Sequence, residues 1–148
     1  MTLVDANLLI DAVNRDLPQH KAAKAWWEKV LSGATTVGIP WVSVLAFLRI
    51  CTSPRIFPKP LTPEDAVAYV DGWLAKPPVR LVAPGGAPGG AHWAILRNLL
   101  VHTGTAANLS TDNHIAALAL EQGYDIYSAD NDFARFPGLK HINPLFPK

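Results

Sequence analysis

One cysteine in 148 residues leaves no intrachain disulfide to form, so a reducing cytoplasm is the expected setting. That residue, Cys51, has apolar neighbours and reads as a small buried side chain. Charge is sparse too: charged residues make up 17% of the chain against 49% aliphatic, aromatic and sulfur residues, which excludes a disordered polyelectrolyte. No apolar run reaches the roughly 18 to 20 residues of a membrane span, and no basic segment with a hydrophobic stretch after it opens the chain. Neither a bilayer nor export is expected. A formal charge of +1 neither demands nor forbids a polyanionic partner, because patches steer binding more than totals do. Acids are missing altogether between Glu28 and Glu64, an interval that holds Lys29, Arg49, Arg55 and Lys59 and so makes a local basic surface.

What is present alternates. A chain of this length forms one domain, here expected over residues 1–148, and can bury roughly 70% of the surface its unfolded form exposes. Thr2-Leu3-Val4 reads as a strand closed by Asp5, with a helix starting at Ala6. A helix is expected from about Pro18 to Leu31, with Ala22, Ala25, Trp26 and Val30 on its buried face. Thr36 to Ile39 makes a second strand, and Pro40 opens a helix carrying Val44, Leu45, Leu48 and Cys51. Pro54, Pro58, Pro60 and Pro63 mark a connection, after which Thr62 caps a helix to about Ala75 with Glu64 and Asp65 in its first turn. Val79 to Val82 is a third strand. The glycines from Gly85 to Gly90 lack both the Gly-Lys-Ser/Thr ending of a P-loop and G-x-G-x-x-G spacing, so they read as a surface loop. Helices follow over Ala91–His102, ended by Gly104, and Asp112–Gln122, ended by Gly123. Asp125 to Ser128 is a fourth strand, and Leu139 to Ile142 a fifth. Short apolar strands alternating with helices predict an α/β fold with a central, mainly parallel sheet of four to five short strands, covered on both faces.

Ligands of such sheets gather at the carboxyl ends of the strands, where strand order reverses. Asp5 ends the first strand, Asp112 begins the helix leading into the fourth, and Asp130 follows the fourth. Carboxylates converging there repel one another unless a cation neutralises them, and Mg²⁺ or Mn²⁺ does so while keeping water for a substrate phosphate to displace. Each acid also fits a local role. Asp5 suits a helix cap, Asp112 follows Ser110 and Thr111 as a third residue able to cap, and Asp130-Asn131-Asp132 suits an Asx turn. Three caps at one sheet edge are less probable than any one of them.

Val4-Asp5-Ala6-Asn7-Leu8-Leu9, then Thr111-Asp112-Asn113-His114-Ile115-Ala116-Ala117-Leu118-Ala119, then Ser128-Ala129-Asp130-Asn131-Asp132-Phe133-Ala134-Arg135-Phe136-Pro137-Gly138-Leu139 resemble the three acidic motifs of PIN-domain VapC toxins. They run in order over nearly the whole chain. The resemblance implies a three-layer PIN-like α/β/α fold and a Mg²⁺- or Mn²⁺-dependent endoribonuclease. It also implies a cognate VapB-type antitoxin and a homodimer. Asp5, Asp112 and Asp130 then hold the metal, Asn7 and Thr111 orient carboxylates or metal-bound water, and Arg49 and Arg55 are candidate contacts to RNA phosphate.

One departure stands out. The family's further acid, often Glu on the helix after the second strand, is replaced by Phe47, itself most simply a core or interface aromatic. Either Asp132 supplies the missing charge, or metal binds more weakly, or cutting has been lost and a degenerate PIN domain binds RNA or a protein partner. Other acid-rich doubly wound enzymes fit less well: Asp5-Ala6-Asn7 is not the Asp-x-Asp of a haloacid-dehalogenase-like phosphatase, and the paired early acids of a receiver are absent. His114 reads as a packing or surface histidine, and Trp26, Trp27, Trp41 and Trp93 as core or interface residues rather than base-stacking platforms.

Overall fold

The computed structural model describes residues 1–85, 91–103 and 110–146. In chain order they form β1 (Thr2–Val4), α1 (Ala6–Val13), α2 (His20–Leu31), β2 (Val37–Pro40), α3 (Trp41–Cys51), α4 (Pro63–Leu74), β3 (Val79–Val82), α5 (Ala91–Thr103), α6 (Ser110–Gln122), β4 (Asp125–Tyr127), a 3₁₀ helix (Asn131–Arg135) and β5 (His141–Ile142). The five strands are all parallel, in the order β3-β2-β1-β4-β5. The chain therefore winds outward on one side of β1 and returns to start again on the other. The switch falls between β1 and β4, where Leu3 pairs with Ile126 and Val4 with Tyr127.

Alternation along each strand divides the core in two. Val4, Val37, Ile39 and Val79 face one layer with α1, α2, α3 and α4, while Leu3, Val82 and Ile126 face the other with α5, α6, Phe133 and Phe136. Gly38 points to this second side, and the space its side chain would fill is taken. A Cβ there would sit 2.7 Å from Val82 Cγ2, 2.8 Å from Tyr124 Cε1 and 3.0 Å from Leu3 Cδ1. Gly38→Ala is expected to cost about 1–3 kcal/mol by overpacking, read as a lower urea midpoint.

Helix ends follow the sequence punctuation. Thr62 accepts a hydrogen bond from the Asp65 N–H with Pro63 behind it, and Gly123 ends α6 at φ +78°. Elsewhere the structure corrects the reading. Residues 18 and 19 are a turn and α2 begins at His20. Its inward face is Ala23, Trp27 and Leu31, one residue round from the expected stripe, so Ala22 and Ala25 are exposed while Trp26 and Val30 are half-buried. The cause is Trp27, whose indole packs edge-on to Trp73 at 5.7 Å and cannot be matched by an alanine. On α3 the buried residues are Ser43, Val44, Phe47 and Cys51, leaving Leu45 exposed. α6 starts at Ser110, so Asp112 lies inside its first turn, and β5 is only His141–Ile142. Residues 86–90, which include most of the glycine loop, and Gly104 lie outside the described residues. No described helix is long and apolar enough to cross a membrane.

Candidate metal and nuclease site

At the carboxyl edge of the switch point, one hydroxyl joins β1 to β4. Ser128 is fully buried, and its Oγ donates to Asp5 Oδ2 at 2.7 Å while accepting from Asn7 Nδ2 at 3.2 Å and from the Asp130 N–H at 2.9 Å. A serine oxygen has one proton and two acceptor positions. With two donors facing it, its proton is committed to Asp5. Asn7 completes the link by accepting from the Ala129 N–H at 3.3 Å. Sequence reasoning misses Ser128 as a site residue; the only signal is a serine two residues before Asp130, on the same strand exit.

Asp5 is both an N-cap and a member of this network. Its Oδ1 accepts from the Ala6 N–H at 2.8 Å, and the residue is 9% exposed. The carboxyl is therefore not solvent-facing, as a strand-end position would suggest, because Ser128 and the start of α1 close over it. Burial raises its pKa, the bonds from Ser128 and Ala6 oppose that, Asp130 adds to the rise and His141 lowers it.

The other acids form the open part of the site. Asp130 makes the expected Asx turn, its Oδ1 accepting from the Asp132 N–H at 2.9 Å, and so caps the 3₁₀ helix. One carboxylate oxygen each from Asp112, Asp130 and Asp132 lie within 4.8 Å of one another. The Asp112 carboxyl is pushed up to about 6, first by burial and then by Asp5, Asp130 and Asp132, with Arg135 pulling the other way. This occurs at the N-terminus of α6, where the helix dipole favours negative charge, so burial and three carboxylates outweigh the dipole. A set made only of hard carboxylate oxygens, held together against their own repulsion, fits a divalent cation of the Mg²⁺ or Mn²⁺ kind.

The remaining candidates are placed as follows. Thr111 is exposed on the first turn of α6 beside Asp112. Arg49 is exposed in the last turn of α3 and Arg55 is exposed beyond its end, and neither is among the charges that act on Asp5 or Asp112. Phe47 is fully buried, its ring 4.8 Å from that of Trp73. It offers the site no ligand, and Asp132 is the acid that stands with Asp112 and Asp130. His114 Nδ1 lies 3.0 Å from His92 Nε2 and ties α6 to α5. Trp27 is in the core and Trp26 stacks on Tyr127, whereas Trp41 and Trp93 are exposed.

A doubly wound parallel sheet with carboxylates clustered at its switch point defines an α/β domain whose acids form a candidate divalent-cation site. The PIN domain model matches residues 2–139, and the chain belongs to the PIN domain family, among its VapC ribonucleases. It is 43% identical over 145 residues to Ribonuclease VapC33 of Mycobacterium tuberculosis, covering 98% of this chain and 99% of that one. With Ribonuclease VapC37 of the same organism it shares 44% over 144 residues, 97% of each chain. The fold is similar to VapBC2 from Rickettsia felis, solved bound to a DNA fragment from the promoter, at a TM-score of 0.67 and 17% identity over 96% of this chain and 97% of that one. It is also similar to Mycobacterium tuberculosis VapC20, a toxin that cleaves the sarcin-ricin loop, at 0.65 and 19% over 95% and 99%.

Proposed function

We propose that this chain is an endoribonuclease and the toxin half of a toxin–antitoxin pair, neutralised by a VapB-type antitoxin, and that its cut requires Mg²⁺ or Mn²⁺. The observation that carries the metal is the trio of Asp112, Asp130 and Asp132 oxygens within 4.8 Å, next to the buried Asp5. Full-length identity of 43% to a ribonuclease carries the reaction class.

Asp112, Asp130 and Asp132 would hold the ion, with Asp5 behind them as the fourth carboxyl of the set. A bound ion of this kind polarises a phosphoryl oxygen and lowers the pKa of a bound water, which then needs no side-chain nucleophile. The protein's own part is placement. Ser128 holds Asp5 and the Asp130 backbone on one oxygen, so the ends of β1 and β4 keep a constant spacing. The Asx turn at Asp130 presents Asp132 beside Asp112. The chain's single thiol is unsuited to covalent attack, since burial pushes the Cys51 pKa up to about 11.

Purified chain, freed of antitoxin, is expected to cleave RNA with Mg²⁺ or Mn²⁺, to stop in EDTA and to resume on adding excess Mn²⁺. Cleavage undiminished by EDTA would overturn the metal requirement. A second reading, a PIN domain that binds RNA or protein without cutting, is favoured by Phe47 in the core where the family's further acid is expected. It predicts binding of RNA or of a protein partner with no cleavage at any metal concentration.

A further inference from the structure

Beside Arg49 and Arg55 of the acid-free interval, a third arginine, outside that interval, bonds directly to the acid cluster. Arg135 ends the 3₁₀ helix that follows Asp130. Its Nε donates to the Asp132 carbonyl oxygen at 3.1 Å and its Nη2 to Asp132 Oδ1 at 2.8 Å. Two of the five guanidinium donors are so used, and the side chain remains 40% exposed. Among the described residues, Arg135 is also the cation whose charge acts on Asp112.

The ordinary explanation is an exposed ion pair three residues apart on a helical turn, which adds little to stability. That does not account for the second bond, which goes to the backbone rather than to the carboxylate. The Nε bond goes to a backbone carbonyl, so it would still be available to hold the guanidinium beside the site if a cation took the Asp132 carboxylate. A polyanion approaching four carboxylates meets repulsion that a bound cation offsets only at the point of contact. A planar cation at the rim, with one edge anchored and the other facing solvent, suits a phosphate by paired hydrogen bonds.

We propose that Arg135 is the RNA-contacting cation of this site, donating its solvent-side N–H groups to a backbone phosphate next to the one that is cut. The role rests on the nuclease reading above and adds to it a substrate interaction separate from those expected of Arg49 and Arg55. It moves no proton and forms no covalent bond.

The test uses RNA binding apart from cleavage. In an Asp112→Asn background, a labelled RNA hairpin is titrated by fluorescence anisotropy, and the same is done after adding Arg135→Ala. Removing a charge-assisted hydrogen bond to phosphate is expected to weaken binding by about tenfold or more. Arg135→Gln, which keeps more of the side-chain volume on the turn, is expected to show the same loss and answers the question if the alanine variant folds poorly. Mn²⁺ binding to Arg135→Ala alone, followed by electron paramagnetic resonance, is expected to be unchanged or tighter, since positive charge has left the cluster. Unaltered RNA affinity would overturn the proposal. So would Mn²⁺ binding weakened in step with RNA affinity, which would make Arg135 a support for Asp132 only. A wild-type chain that neither cleaves nor retains the hairpin would instead bring down the nuclease reading, and this role with it.

Discussion

Asp112→Asn is expected to lower RNA cleavage by more than about a hundredfold, since even an outer-shell change costs about 10 to 100-fold, while making the metal-free protein more stable at neutral pH. The two effects have one cause. Asp112 ionises at about 6 in the fold against an ordinary 3.8, because it is buried and faces Asp5, Asp130 and Asp132. A carboxyl raised in this way binds more protons folded than unfolded between those values, so the fold loses stability as pH rises through that window and carries the whole penalty above about 6. Asparagine removes the charge and with it the penalty. Thermal melts without metal should therefore show wild type falling in stability from pH 4 to pH 7 while Asp112→Asn changes less. Mn²⁺ should reverse the wild-type trend, since protons compete with it below about 6, and the melting shift it induces should be larger at pH 7 than at pH 5. A variant destabilised at every pH would point to a capping role for Asp112 instead.

Phe47→Glu is the second large effect, and it is expected to unfold the chain rather than restore a fuller metal site. Phe47 is wholly buried, with Trp73 4.8 Å away and Val44 and Cys51 in the same core. Losing a core phenylalanine costs about 3–5 kcal/mol before any charge is buried in its place. An unpaired carboxylate there adds desolvation, or is held protonated, and helps no cation in either case. Urea unfolding of Phe47→Glu should show a midpoint far below wild type. The paired experiment is Asp132→Asn, where the exposed position predicts an intact fold and the clustered oxygen predicts Mn²⁺ affinity lower by about 10 to 100-fold. Wild-type metal affinity in Asp132→Asn would mean that the acid absent at residue 47 has no substitute.

How much of the site is legible in the sequence differs residue by residue. Strand ends and helix starts alone point to Asp5, Asp112 and Asp130, and Asp112 and Asp130 do meet, together with Asp132. Asp5 stands beside that trio, each of its oxygens accepting one hydrogen bond, from Ala6 and from Ser128, and keeping a further lone pair. Nothing local announces that pairing, which spans 123 positions of the chain and exists only because β1 and β4 lie side by side. Arg135 is likewise one arginine in a turn until the Asx turn at Asp130 carries it to the rim.

The order of elements, the parallel sheet, the helix ends at Thr62 and Gly123 and the chemical type of the site follow from the sequence itself, since turn residues, apolar spacing and caps act over a few positions. The tertiary structure decided which stripe of a helix turns inward. On α2 the choice between Ala22 with Ala25 and Ala23 with Trp27 was settled by Trp73 on α4, and on α3 the same ring packs on Phe47, a core or interface aromatic by sequence, while Leu45 is left exposed. It also decided that residue 38 has room for no side chain, because Leu3, Val82 and Tyr124 arrive there from three other segments. Helical period states that a buried face exists; only the neighbour that fills the space opposite fixes which residues form it.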